Sequence, residues 1–170
     1  MPNHKPMPMP ALRQHLCETG ASAVEFALVA PLFFLLIFSI VDFGMMMFAN
    51  LTMQHAVREG ARYAITGQSN LDPSAGAKQR YLAVEEKIRS SSLGIYKMSG
   101  ATISTLIIPP VGSGIAQASG AGMYGSAGEL VEIHVDCSWP LLTPVVAAFF
   151  KSTGGKYNFR VAATMRNEAF

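Results

Sequence analysis

The distribution of apolar residues divides the chain into an almost uncharged N-terminal run and a longer region in which apolar and polar positions alternate. The run extends from Phe26 to Ala49 and contains one charged residue, Asp42. At about 1.5 Å of helix rise per residue, its length exceeds the roughly 30 Å thickness of the bilayer core. The run therefore predicts one membrane-spanning helix, which we expect to continue to about Thr66 because no proline interrupts residues 50–65.

Residues 1–20 differ sharply from the run that follows them. They are polar, and the prolines between Pro2 and Pro10 forbid a continuous helix there, so we expect this segment to lack regular structure. A cleaved secretory signal is the alternative interpretation of residues 1–49. However, the apolar run is longer than the usual ~7–15 residues, and Met47-Phe48-Ala49 is a poor small-x-small cleavage site. A retained membrane helix fits the pattern better.

Beyond residue 66 the pattern predicts one short helix followed by strands. Apolar residues recur at helical spacing from Ala77 to Ile88, and Asp72-Pro73 is typical of a helix start, so we expect an amphipathic helix that closes before Gly94. Alternating apolar and polar residues, rich in Val, Ile and Thr, then predict strands at 101–108, 131–139 and 157–165. The glycine-rich residues 111–128 are expected to form a mobile loop.

These elements predict the α+β class, with a long N-terminal transmembrane helix that extends outward and a small antiparallel β-sheet layer carrying one amphipathic helix. We expect three regions: a leader at residues 1–20, the long helix at residues 21–66 and an α+β domain outside the membrane at residues 67–170. Because the strands are one-faced and the amphipathic helix supplies a cover, we expect residues 67–170 to fold without the long helix.

Two features have more than one interpretation. Residues 140–150 are almost wholly apolar but too few to cross a bilayer, so they form a buried segment, a membrane-surface patch or a subunit contact. Asp42 comes sixteen residues after Phe26, about 24 Å along a helix axis. At that position we expect its carboxylate to be solvated at the outer membrane interface, and a functional charge within the membrane is the alternative.

Composition and motifs give no indication of catalysis or of nucleic-acid binding. The formal net charge of +2 is not concentrated in a basic patch. Residues 120–125 fit the G-x-G-x-x-G pattern, but a strand follows them rather than a helix, which argues against nucleotide binding. No metal-binding motif or Ser-His-Asp arrangement is indicated, so we expect no cofactor and no small-molecule substrate. Cys137 is expected to be a small buried hydrophobe.

The junction between the polar segment and the apolar run resembles the cleavage site of type IV prepilin-like proteins. The polar segment ends at Gly20, and a chain beginning at Ala21 would have a glutamate as its fifth residue, followed by an aromatic residue, in Glu25-Phe26. The resemblance implies that a membrane peptidase cuts between Gly20 and Ala21. It also implies that Glu25 neutralises a terminal amine during subunit packing. Cleavage would remove Cys17 and leave Cys137 alone.

Further along, the sequence Ala-Val-Arg-Glu-Gly-Ala-Arg from Ala56 to Arg62 resembles the TadE-like pseudopilins of the tight-adherence (Tad/Flp) pilus. Residues 139–144 and 163–168 resemble that family's C-terminal signature. The spacing of the charged residues alone allows a local helix ion pair or an intersubunit contact. The motif residues are Arg58, Glu59, Gly60, Ala61 and Arg62.

The resemblance implies a minor pilin or pseudopilin that acts in pilus assembly and secretion and is not an enzyme. Its expected partners are the membrane, a prepilin peptidase, other pilin subunits and the pilus assembly platform. It implies the bacterial inner membrane, with the N-terminus in the cytoplasm, whereas Lys and Arg counts on the two sides of the span give no orientation. The alternative is a single-span membrane-anchored enzyme or sensor domain, which would need a cluster of titratable residues that the sequence does not offer.

Overall fold

The computed structural model describes residues 15–109 and 114–169, with side chains from residue 20 onward. Chain contacts divide the molecule into two units, one ending at Ile40 and one from Val41 to Phe170. Short 3-10 turns lie at Gly120–Gly122 and Lys151–Thr153. The helices of the described residues are α1 (His15–Ile65), α2 (Arg80–Ser91), α3 (Ile95–Met98) and α4 (Pro144–Phe149), and the strands are β1 (Thr102–Ile108), β2 (Ala116–Ala118), β3 (Leu130–Pro140) and β4 (Lys156–Arg166).

Helix α1 confirms the predicted long N-terminal helix. In the first unit its side chains are exposed on every side from residue 20 onward, apart from the half-buried Ala30 and Ser39. Phe26 and Leu28, for example, are 70% and 75% exposed. A helix that is apolar all round needs a cover of lipid or of other helices. This is the one helix among the described residues that is long and apolar enough to cross a membrane.

The C-terminal end of α1 agrees with the prediction, whereas its N-terminal end does not. The helix ends at Ile65, because Gly67 takes a left-handed φ of 67° and donates its N–H to the Ala64 carbonyl. At the other end residues 15–20 are helical, so the expectation that all of residues 1–20 lack structure is wrong. The last proline of that segment is Pro10, and nothing after it breaks a helix. Residues 1–14 lie outside the described residues.

The four strands form one antiparallel sheet in the order β2-β1-β3-β4. Ile133 in the middle of β3 lies opposite Thr105 of β1 and Ala163 of β4. The predicted alternation is confirmed in β3, because every second residue is buried from Val131 to Trp139 while the residues between them are half-buried. The sheet therefore has one core face, as a one-faced pattern requires.

Helix α1 covers the core face of the sheet within the second unit. Its buried apolar residues recur every three or four positions, with Ala56 and Val57 as an adjacent pair, and they share one hydrophobic cluster with β3, β4 and α2. Asp42 and Ile65 lie about 35 Å apart along the helix, and 11 extended residues give β3 a length of about 36 Å. The buried apolar residues of α1 are Ala49, Met53, Ala56, Val57, Ala61 and Ala64.

This packing bears on the expectation that residues 67–170 fold without the long helix because the amphipathic helix supplies a cover. Helix α2 contributes Val84 and Ile88 to the cluster, but most of the helical residues that pack on the sheet come from α1. Residues 67–170 without α1 would therefore expose the core face of β3. The three-region division of the chain stays a prediction, whereas the contacts place residues 41–65 in the same unit as the sheet.

Helix α2 begins later than predicted. Its first residue is Arg80, and Ala77 is exposed outside it. Asp72 is not the N-cap. Its carboxylate instead closes the preceding loop, where it accepts the N–H of Ser74 at 2.8 Å and the N–H of Gln79 at 2.6 Å. These hydrogen bonds lower the pKa of Asp72 from its ordinary value of 3.8.

The glycine-rich segment contains more structure than predicted. Residues 116–118 form the edge strand β2, and the hydroxyl of Thr105 donates to the Met123 carbonyl at 2.5 Å. Three residues, two of them alanines, give too short a pattern for a strand prediction. Residues 110–113 lie outside the described part of the chain.

Residues 140–150 end β3 and then form α4. None of the residues of α4 is buried, and Leu142 and Phe149 are 69% and 84% exposed. The interpretation of this segment as buried in the fold is therefore wrong. A membrane-surface patch and a subunit contact remain as alternatives.

Candidate functional site

The residues predicted to form the processing site lie on an open part of α1. Gly20 and Ala21 are exposed, and a Cβ atom built on Gly20 would meet no other atom within 4 Å. Glu25 is exposed as well and lies one helical turn beyond Ala21, so the two residues share a face of the helix. The structure thus brings the predicted cleavage point and the glutamate together, and their roles stay predictions.

The central motif divides into residues that face the core and residues that face outward. Ala61 is fully buried, and Gly60 packs directly against Ile88 of α2. A Cβ atom at Gly60 would lie 2.9 Å from the Cδ1 atom of Ile88 and closer still to its Cγ1 atom, which is too close for an unchanged packing. Gly60 is therefore a close-approach residue between two helices.

The charged residues of the motif lie on the outer side of the same turn. Arg58 and Arg62 are exposed and Glu59 is half-buried. The Nε atom of Arg58 donates to the Gln54 carbonyl at 3.2 Å. Within the described part of the chain no ion pair joins Glu59 to either arginine, so the interpretation as a local helix ion pair is wrong. Both guanidinium groups face outward in this unit and are accessible to another molecule.

Asp42 is a site that the sequence analysis missed. It is only 2% exposed, so the expected interfacial solvation is wrong. Its Oδ1 atom accepts the N–H of Leu142 and its Oδ2 atom accepts the N–H of Thr143, each at 2.9 Å. Charge-assisted bonds of this kind satisfy a carboxylate that water does not reach. The sequence signal was one acid in an apolar run, but the partners lie 100 residues away.

A second polar cluster, formed by the half-buried Arg80 and the buried Asn167, joins the opposite end of α1 to the residue that follows β4. Arg80 donates to the Ala64 carbonyl, to the Gly125 carbonyl and to the side-chain oxygen of Asn167, the last two at 2.9 Å. Burial lowers the pKa of Arg80. Asn167 in turn donates to the carbonyls of Tyr124 and Ser126 at 2.7 and 2.9 Å. One residue of the predicted C-terminal signature thus has a structural role.

A cavity of about 690 Å³ opens between α2, α3 and the edge of the sheet, and its lining includes Glu85, Tyr96 and Tyr124. Burial raises the pKa of Tyr96 to about 12, aided by Glu85, to which its hydroxyl donates at 3.2 Å. Burial likewise raises the pKa of Tyr124. The raised pKa values keep both phenols in the protonated, hydrogen-bond-donating form at neutral pH.

Metal-ligating side chains and the free thiol are the other groups that could carry chemistry. Within the described ranges no cluster of three or more His, Cys, Asp or Glu side chains is placed to hold a metal ion. Cys137 is a free thiol, 3% exposed, and burial raises its pKa, which makes it a weak nucleophile. Its burial confirms the prediction of a small core residue.

The fold and the exposed apolar helix define a protein of the α+β class that fits a single-pass membrane anchor. Residues 20–62 match the family model described as TadE-like protein. This match supports the TadE-like family of the Tad pilus system, to which the sequence resemblance pointed. It contains Gly20, Glu25 and the whole Arg58 to Arg62 motif. No curated protein and no solved structure gives a significant match to the chain.

Proposed function

We propose that this chain is a minor pilin or pseudopilin that is anchored in the inner membrane and assembles into, or onto, a tight-adherence pilus. The observation that carries the proposal is the exposed apolar helix within the TadE-like match, since residues 20–40 have no cover in their own unit. Lipid supplies that cover before assembly, and neighbouring pilin helices supply it afterwards. The family is a pilus component and not a family of enzymes.

Processing after Gly20 is part of the proposal, and its proposed effect on assembly is electrostatic. A carboxylate at the membrane edge is tolerated while water reaches it, but it needs a positive partner once helices pack and water leaves. Cleavage creates an α-amine at Ala21, one helical turn from Glu25. The amine belongs either to the same subunit or to an adjacent one. If the amine and Glu25 pair between subunits, the axial register of neighbouring α1 helices depends on cleavage, because the uncleaved chain has no free amine at this position.

The outward-facing arginines support a second contact between subunits. Arg58 and Arg62 share a face of α1, are exposed, and make no ion pair within the described residues. An acidic surface of a neighbouring pilin or of the assembly platform fits them. The N-terminus lies in the cytoplasm in this proposal, since prepilin peptidases cut on that face, and the sheet lies on the opposite side of the membrane.

The intact mass of the protein purified from membranes tests the processing step. We expect a chain that begins at Ala21. A chain that still begins at Met1, or one cut near Ala49, would contradict both the processing and most of the proposed function.

The substitution Glu25→Gln tests the packing step. It keeps the size of the side chain and removes its charge, so we expect normal insertion and leader removal but reduced co-purification with other pilin subunits. Arg58→Ala is the matched comparison on the same helix. If Glu25→Gln assembles like the parent while Arg58→Ala does not, register is set by the outer part of the helix and the amine-pairing account is wrong.

A further inference from the structure

The second unit carries an exposed apolar surface that no part of the described chain covers. One half lies on α1 directly after Asp42, and the other half lies on α4 and the residue pair before it. We call this surface the apolar belt. Its members, with their exposed fractions, are Phe43 (61%), Met47 (47%), Phe48 (48%), Leu142 (69%), Val145 (46%) and Phe149 (84%).

The hydrogen bonds of Asp42 hold the two halves of the apolar belt at the same position along the axis of α1. Both carboxylate oxygens are held by backbone N–H groups, one from Leu142 and one from Thr143, at 2.9 Å each. Phe43 is the next residue of α1, and Thr143 is the N-cap of α4. The start of α4 therefore lies beside the turn of α1 that contains Asp42, whatever the surroundings of the molecule.

The position of Asp42 in the apolar run determines how deep in the bilayer Asp42 and the start of α4 lie. By sequence spacing Asp42 follows Glu25 by seventeen residues, about 26 Å of helix, which is less than the roughly 30 Å of a bilayer core. An ionised carboxylate at such a depth is stable only with polar partners. Leu142 and Thr143 supply those partners through their backbone, so the segment that contains them must lie at the same depth.

Charge on the segment supports a lipid neighbour rather than a second protein surface. From residue 140 to residue 156 the chain has no acidic side chain, and its charged residues are Lys151 and Lys156, which are both exposed. Lys156 pairs with Pro140 across the sheet, so it lies at the same end of β3 as α4. Apolar side chains flanked by lysines are typical of segments that lie at the boundary between acyl chains and phosphate headgroups.

We propose that the apolar belt rests in the headgroup boundary of the bilayer that α1 spans, so that the second unit is held to the membrane by α4 as well as by α1. The inference rests on the membrane anchor of the proposed function. It adds that the sheet lies against the membrane surface by its Pro140 end before assembly. Departure from the bilayer then requires α4 to leave the lipid.

Quenching of tryptophan fluorescence by phospholipids with brominated acyl chains tests this position. The full chain is reconstituted in vesicles of phosphatidylcholine and phosphatidylglycerol, in a Trp139→Phe background that removes the sole native tryptophan. Leu142→Trp reports on the belt, and Phe34→Trp reports on the span. If the Trp139→Phe background does not fold, the same substitutions are made in the parent chain. The emission of the parent, which contains only Trp139, is then subtracted from that of each variant.

Ile115→Trp is the matched control. Ile115 is 68% exposed against 69% for Leu142, and it precedes β2 at the opposite end of the sheet, where Ile107 pairs with both Ala116 and Val131. Nine residues of β3 separate Val131 from Pro140, about 30 Å of strand. A tryptophan at Ile115 therefore lies in water if the belt lies in lipid.

We expect brominated lipid to remove emission from Leu142→Trp nearly as strongly as from Phe34→Trp, and to leave Ile115→Trp unchanged. Quenching of Phe34→Trp alone would leave the anchor intact and overturn the inference. A blue-shifted but unquenched Leu142→Trp would also overturn it, because a second copy of the chain would then cover the belt. If brominated lipid does not quench Phe34→Trp, α1 does not span the bilayer, and both the membrane anchor of the proposed function and this inference are refuted.

Discussion

Substitution of Gly60 by alanine should destabilise the protein although it adds a better helix former. In an open helix position alanine is favoured over glycine by about 1 kcal/mol. At Gly60 the added Cβ atom meets the Cγ1 and Cδ1 atoms of Ile88, which is fully buried and cannot move aside into solvent. Overpacking of a filled core costs about 1–3 kcal/mol. We therefore expect Gly60→Ala to lower the free energy of unfolding by up to about 2 kcal/mol.

A double-mutant cycle with Ile88→Ala separates this clash from other effects. Ile88→Ala alone removes both clashing atoms and should cost about 2–5 kcal/mol. In the Gly60→Ala background the same change relieves the clash, so its cost should fall by about 1–3 kcal/mol. Gly44→Ala is the control, because Gly44 lies in the same helix and a Cβ atom there meets nothing within 4 Å.

Urea unfolding of the full chain in detergent micelles measures these free energies, with the near-UV signal of the buried Trp139 as the probe. Strict additivity of Gly60→Ala and Ile88→Ala, or a stabilisation by Gly60→Ala equal to that by Gly44→Ala, would refute the packing role of Gly60. Unchanged stability combined with lost co-purification of other pilins would place Gly60 in a subunit contact instead.

Three further predictions concern polar and titratable groups. Asp42→Ala leaves the N–H groups of Leu142 and Thr143 without acceptors, so urea unfolding should show a loss of about 1–3 kcal/mol in the free energy of unfolding, and proteolysis near α4 should accelerate. A proteolysis rate equal to that of the parent would show that these hydrogen bonds do not hold α4 in place. Asp72 is ionised more readily when folded, so its stabilisation is present above its ordinary pKa of 3.8 and fades as the pH falls through the lowered value; Asp72→Asn should flatten that part of the stability profile measured by thermal unfolding. Cys137 should react with a thiol reagent only after unfolding. Because burial raises the pKa of this thiol, raising the pH to the ordinary thiol pKa of 9.0 should not bring the labelling rate up to that of an exposed thiol. Fast labelling of the folded chain would show that the core opens.

The elements with a strong local period were predictable from the sequence. In β3 and β4 every second residue is apolar, and the structure confirms both strands to within a residue or two at each end. The stop of α1 was predictable from Gly67, since glycine tolerates the left-handed conformation that ends a helix. The TadE-like match was likewise visible in residues close together in sequence, from Gly20 to Arg62.

The parts that escaped prediction depend on partners far apart in the chain. Asp42 has a local context that indicates solvation, and only the fold shows that it is held by residues 142 and 143. Similarly, the spacing on α1 predicts a helix but does not say that the sheet packs on it. Gly60 could be recognised as a motif residue, whereas its contact with Ile88 requires both helices in place.

The Arg80 and Asn167 cluster has a consequence for biosynthesis. Arg80 and Asn167 are 87 residues apart, and the Glu168 N–H donates to the carbonyl of Ile65 at 3.2 Å. These contacts cannot form until Asn167 and Glu168 have left the ribosome and, where the unit is exported, crossed the membrane. The join between the end of α1 and the residues after β4 therefore forms only once β4 has been made, and until then the β3 edge that pairs with β4 stays unpaired. A nascent chain stalled short of β4 would present that edge to chaperones and proteases, so synthesis of β4 and Asn167 is the step that commits this unit to its fold.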